Sequence, residues 1–122
     1  MTFLVWDPME VLSLFDAMPV KDQDGLFYQY ALEQTPLRLQ LTIWQYDADI
    51  EIILWTDHLP DPISRCVIRN SPGIRVVDEK AGRFIEFAAP HCIEGKYDGH
   101  SPIPNGLRLW MEPQIRIETI AW

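Results

Sequence analysis

Five side chains able to ligate a metal, His91, Cys92, Glu94, Asp98 and His100, fall in one short stretch of the chain. Their spacing matches neither Cys-x2-Cys nor His-x3-His, and the one other histidine is His58, so no metal site is expected from them. Cys92 beside a histidine would form a nucleophile pair only if the fold oriented the two, and no local signature marks it. Cys66, between Arg65 and Val67 in an alternating stretch, reads as a small core residue. Paired carboxylates are plentiful: Asp47, Asp49 and Glu51 in one group, Asp57 and Asp61 in another. General acid–base chemistry needs two carboxyls in unlike environments within a cleft. A solvated hairpin tip supplies neither. Gly-x-Gly-x-x-Gly, P-loop, Gly-x-Ser-x-Gly and His-Glu-x-x-His patterns are all absent from the sequence. The chain therefore gives no reason to name an enzyme, a catalytic residue, a cofactor or a metal.

Binding is better served. Five tryptophans stand in 122 residues. Trp6 and Trp122 would hold down the chain ends. Trp44 and Trp55 are expected on one outer face of a hairpin, as diagonal neighbours beside acidic residues. An aromatic patch rimmed by carboxylates is the composition of an interface anchor for a basic partner. The candidate partner-binding residues are thus Trp44, Asp47, Asp49, Glu51, Trp55, Asp57 and Asp61. The competing reading has a helix covering that face, with both rings in the core.

The elements that must position these residues are mostly strands. Residues 7–18 are the exception: Asp7 suits an N-cap, Pro8 the first helical position, and Glu10 completes a capping-box-like Asp-Pro-Met-Glu. Trp6 and Val11 are placed for a hydrophobic staple. Val11, Leu14, Phe15 and Met18 form one apolar stripe, and Pro19 stops the helix. Residues 26–33 read as a strand. Across 37–55, Leu37, Leu39, Leu41 and Ile43 alternate with Arg38, Gln40, Thr42 and Trp44, then Ile50, Ile52 and Leu54 alternate with Glu51, Ile53 and Trp55. With Tyr46–Asp49 as the connection, Gln45 pairs with Ile50, Ile43 faces Ile52 and Leu41 faces Leu54. Further strands are expected at 63–69, 74–78, 83–88, 106–112 and 114–122. Ser71-Pro72-Gly73 fits a type II turn, 79–82 a hairpin loop, and Pro113 a turn, bulge or edge. The expected fold is mainly β (α+β), an antiparallel β-sandwich or strongly curved sheet with one N-terminal helix, as a single domain over 1–122. Residues 90–105, rich in Pro and Gly, should form a long irregular loop.

Composition narrows the partners. Hydrophobic residues make up 48% and charged residues 23%, which suits a folded soluble protein. Met1 to Trp6 lacks a basic segment and Asp7 ends the apolar run, unlike a signal peptide, and no stretch is apolar enough to span a membrane. With only two cysteines, a cytoplasmic address is expected. The net charge is −8, and it is lopsided: residues 1–61 hold eleven Asp/Glu against Lys21 and Arg38, whereas 62–122 are nearly balanced. Such a field repels nucleic acid and attracts cationic protein surfaces.

In size, charge and β-rich build the chain resembles the small acidic immunity proteins that bacteria pair with secreted or contact-delivered toxins. That resemblance implies an inhibitor masking the active-site region of a basic toxin. Two other readings stand beside it. One is a small-ligand enzyme or sensor using the 90–105 loop, with His91, Cys92, Asp98 and His100 near a pocket. The other is a structural subunit or homodimer whose aromatic patch is a self-contact.

Overall fold

Asp7 sets the start of α1 (Pro8–Phe15). Its extended backbone lets the side-chain carboxylate accept the Met9 N–H at 2.9 Å, and Pro8 sits where an N–H would have no intrahelical partner. The helix ends before Pro19 acts. Asp16 takes a left-handed φ of 53° and its N–H donates to the Leu12 carbonyl at 2.9 Å. Met18, expected to complete the apolar stripe, therefore lies outside the helix and is 81% exposed, while Val11 and Phe15 are buried.

The structure is a computed structural model that describes residues 4–80, 82–90, 97–99 and 102–121. The described strands form two antiparallel sheets. One runs in sequence order through β1 (Val20–Lys21), β2 (Tyr28–Gln34), β3 (Leu37–Trp44), β4 (Asp49–Thr56) and β5 (Ser64–Ile68). The other runs through β6 (Ile74–Glu79), β7 (Gly82–Ala88), β8 (Gly106–Trp110) and β9 (Arg116–Ile120). The protein is mainly β with one N-terminal helix, as expected. No described helix is long and apolar enough to cross a membrane.

The central hairpin forms, but its register differs by two residues from the expected one. Ile43 faces Ile50, Leu41 faces Ile52 and Leu39 faces Leu54, with Trp44 opposite Asp49. Every side chain keeps its expected face, because faces repeat with period two. The turn makes the choice. The connection is residues 45–48, closed by Ala48 at φ 57°, a buried residue whose carbonyl accepts the Ser71 N–H at 2.8 Å. Asp49 thus enters the strand instead of the loop.

The inner faces meet in one core. Tyr30, Leu39, Leu41, Ile43, Ile50 and Ile52 come from the first sheet, Ile74, Ile85, Phe87 and Leu109 from the second, and Val11 and Phe15 from α1. Full burial of each such side chain is worth about 1.5–3 kcal/mol. The helix packs against β2 and β6, closing one side between the sheets. There Phe15 meets Tyr30 at 5.2 Å between ring centres, and the Tyr30 hydroxyl donates to the Pro8 carbonyl at 3.1 Å. Burial, with help from Tyr28 and Asp7, pushes the Tyr30 phenol up, so it stays a donor. Trp6 packs edge-on against Tyr28, as an anchor near the chain start should.

Two polar side chains tie the sheets at opposite ends. Gln34 donates to the Met111 carbonyl at 2.9 Å and accepts the Ile115 N–H at 2.8 Å. Ser71, fully buried, donates to the Ala88 carbonyl at 2.6 Å. The expected type II turn at Ser71-Pro72-Gly73 is not formed. Asn70 makes the turn at φ 55°, and Gly73 pairs in parallel with Val5, whose N–H donates to the Pro72 carbonyl at 3.0 Å. Gly73 is needed for space: a Cβ there would run into the Tyr97 ring. The 79–82 hairpin forms, with Glu79 opposite Gly82, and residue 81 lies outside the described residues.

Candidate functional site

The outer face of the first sheet carries the residues marked for binding, and α1 does not cover it. Alternation along β3 and β4 stacks outward pairs in four rows: Trp44 with Asp49, Thr42 with Glu51, Gln40 with Ile53, Arg38 with Trp55. The neighbouring strands extend these rows. From β2 come Gln29 beside Thr42, Ala31 beside Gln40 and Glu33 beside Arg38. From β5 come Val67 beside Glu51 and Arg65 beside Ile53.

The hairpin carboxylates are not a free acidic ridge. Arg65 reaches Glu51 at 2.6 Å, and Arg69 reaches Asp49 at 3.6 Å. Asp49 also accepts the Asn70 N–H at 3.2 Å. Asp47 stays exposed at the tip. Trp44, Asp47, Asp49 and Glu51 line one shallow concavity of about 270 Å³ together with Arg65, Val67 and Arg69. Exposed pairs of this kind add at most about 1 kcal/mol each to stability, yet they cancel charge locally.

The other marked residues lie at the far end of the same hairpin. Trp55 lines a second concavity with Ala31, Glu33, Arg38 and Gln40, and the Arg38 guanidinium sits 5.5 Å from its ring centre. Asp57 and Asp61 are exposed on the connection after β4, where the Asp57 N–H donates to the Pro36 carbonyl at 3.0 Å. Trp44 and Trp55 are therefore not diagonal neighbours. They stand at opposite ends of eight-residue strands, roughly 20 Å apart at about 3.3 Å per residue. Both rings are half-buried, so neither is a core residue beneath the helix.

The second sheet holds a constellation that single-strand patterns did not reveal. Its outer face aligns Arg75, Glu86, Arg108 and Glu118 across four strands. Glu86 is 1% exposed, with Arg75 at 2.7 Å and Arg108 at 3.3 Å. Phe84 and Trp110 lie 4.6 Å apart in the next row, with Arg108 over Phe84 and Arg116 over Trp110. Trp110 Nε1 donates to Glu118 at 2.5 Å. The alternating Arg and Glu were visible strand by strand, but only the register brings them together. Glu86 is answered by two guanidiniums on neighbouring strands and Trp110 by Glu118, which makes the row a structural element.

Chemistry elsewhere is sparse. His91, Cys92, Glu94 and His100 lie outside the described residues, and Asp98 is described. Among the described residues no group of three His, Cys, Asp or Glu side chains is placed to hold a metal ion. Cys66 is half-buried against the core, 3.8 Å from the Ser64 hydroxyl. The described parts of 90–105 carry no helix or strand before Gly106.

No family model matches the sequence, and no curated protein does. The fold has a solved counterpart. The chain is similar to one chain of a contact-dependent growth inhibition toxin–immunity protein complex from Klebsiella pneumoniae 342, with a TM-score of 0.77 and 17% identity. The likeness covers 98% of this chain and 97% of that one, so the whole two-sheet arrangement is shared.

Proposed function

We propose that this chain is an immunity-type inhibitor, a non-enzymatic cytoplasmic protein that binds a basic bacterial toxin and masks its active-site region. The observation that carries this reading is the end-to-end fold likeness to a chain of a toxin–immunity complex. The acidic balance supports the inhibitor's side of such a pair: a net charge of −8 suits a partner for a cationic surface. Binding is assigned to the outer face of the first sheet and its connections. Trp44, Asp47, Asp49 and Glu51 serve at one end, and Trp55, Asp57 and Asp61 at the other.

The test is co-expression with the toxin domain encoded beside this chain's gene. Growth should be arrested by that domain alone and restored by this chain, and the two should elute as one stoichiometric complex. Growth arrest by this chain alone would make it the toxin and end the proposal. Failure to rescue and to bind would end it equally.

A further inference from the structure

Two turns that lie far apart in sequence are fastened together at the tip end of the first sheet. The turn between β1 and β2 is closed by the Gly25 N–H donating to the Asp22 carbonyl at 3.1 Å, and the Leu26 N–H donates to the Asp22 carboxylate. Gly25 takes φ 69°, a left-handed value that suits glycine. Gln45, in the β3–β4 turn, donates from Nε2 to the Gly25 carbonyl at 2.5 Å. The Tyr46 hydroxyl lies just beyond the space a Cβ on Gly25 would fill, 3.9 Å from it. The two turns therefore form one surface.

That surface holds two apolar side chains out to solvent: Tyr46 is 62% exposed and Leu26 51%. Its charge is one-sided. Glu51 and Asp49 are matched by Arg65 and Arg69, but among the described residues neither Asp24 nor Asp47 has a cationic partner. The nearby Lys21 is drawn over the Tyr28 ring, 5.3 Å from its centre.

We infer that the joined turns, with Tyr46 and Leu26 as apolar anchors and Asp24 and Asp47 as an acidic rim, are the surface that docks the cationic face of the toxin. The inference rests on the immunity reading and deepens it by choosing one end of the sheet. The other end of the sheet offers Trp55 with Leu59, Ile63, Asp57 and Asp61, but Trp55 is half-buried with the Arg38 guanidinium 5.5 Å from its ring centre. Tyr46, by contrast, is an open aromatic with no cation over it among the described residues. At the tip both turns are held by hydrogen bonds, so little ordering remains to be done on binding. A rim of unmatched carboxylates raises the rate of encounter with a basic partner, and the buried anchors slow its departure.

The experiment is surface-plasmon kinetics against the toxin domain encoded beside this chain's gene, at low and high salt. Tyr46→Ala with Leu26→Ala should raise the off-rate at least about tenfold. Asp24→Asn with Asp47→Asn should slow association several-fold at low salt and little at high salt. Asp78→Asn with Glu79→Gln, the same charge change on the second sheet, should leave both rates near wild type. All six sites are solvent-facing, and an unchanged thermal midpoint confirms folding. Larger losses from Asp57→Asn with Asp61→Asn than from the tip variants would overturn the chosen surface while leaving the immunity reading intact. Absence of any complex with wild type would overturn both.

Discussion

The two outer faces of this sandwich handle charge in opposite ways. On the second sheet, Glu86 lies buried between Arg75 and Arg108, and Trp110, Arg116 and Glu118 meet one another in the adjoining positions. The guanidiniums of Arg108 and Arg116 also lie over the Phe84 and Trp110 rings, so on this face charge is answered by neighbouring side chains. On the first sheet the ion pairs are exposed: Arg65 and Arg69 keep 61% and 74% of their side-chain surface in water. Among the described residues, Asp24 and Asp47 remain without a cationic partner at the tip. A charge network that is buried and complete makes structure, whereas one that is exposed and incomplete leaves a field for a partner to answer.

The strongest test lies beneath both faces. Leu41 is fully buried where the sheets meet, and Leu41→Ala should cost about 2–5 kcal/mol, seen as a lower denaturant midpoint with an unchanged m-value. Next comes Glu86→Ala, which leaves two guanidiniums without their shared carboxylate. It should cost about 3 kcal/mol, the lower part of the range for breaking a buried pair, because Arg108 retains 34% exposure and can turn to water. A loss below about 1 kcal/mol would remove the distinction between the faces. Gln34→Ala, which frees the Met111 carbonyl and the Ile115 N–H, should cost about 1–3 kcal/mol by the same measurement.

The sequence made the fold largely legible because its signals are local. Asp7 and Pro8 mark the helix start, and alternation from Leu37 to Trp55 sorts both faces of the hairpin. What it missed was decided by segments distant along the chain. The register turned on Ser71 meeting Ala48, and the course of Pro72 and Gly73 on Val5 pairing beside them. The candidate site was legible in part. Trp44, Asp47, Asp49 and Glu51 do gather at one place, since period two keeps them together whatever the register. Charge counted by halves of the chain does not register that Arg65, on β5, and Arg69, just after it, return to acids of the first half. The turn of Asp24 and Leu26 carries no binding signal of its own in the sequence, for nothing local ties it to Gln45 twenty residues on.

The smallest expected change in stability carries the sharpest statement about function. Arg65→Ala with Arg69→Ala removes two exposed ion pairs from the first sheet. Exposed pairs contribute roughly 0–1 kcal/mol each, so the thermal midpoint should scarcely move. Binding should respond in the other direction. With both guanidiniums gone, Glu51 and Asp49 join Asp47 in an unscreened acidic surface, two charges more negative than before. Attraction acts over about 8 Å at physiological ionic strength, so association with a basic toxin domain should quicken several-fold at low salt and converge on wild type as salt rises. The same double substitution on the second sheet, Arg108→Ala with Arg116→Ala, should do the reverse. It strips one of the two guanidiniums from Glu86 and those over Phe84 and Trp110, lowers stability measurably and leaves the association rate unchanged. Slower association after loss of Arg65 and Arg69 would mean that these arginines themselves meet the partner, and the tip would then be recognising an acidic surface instead of a basic one.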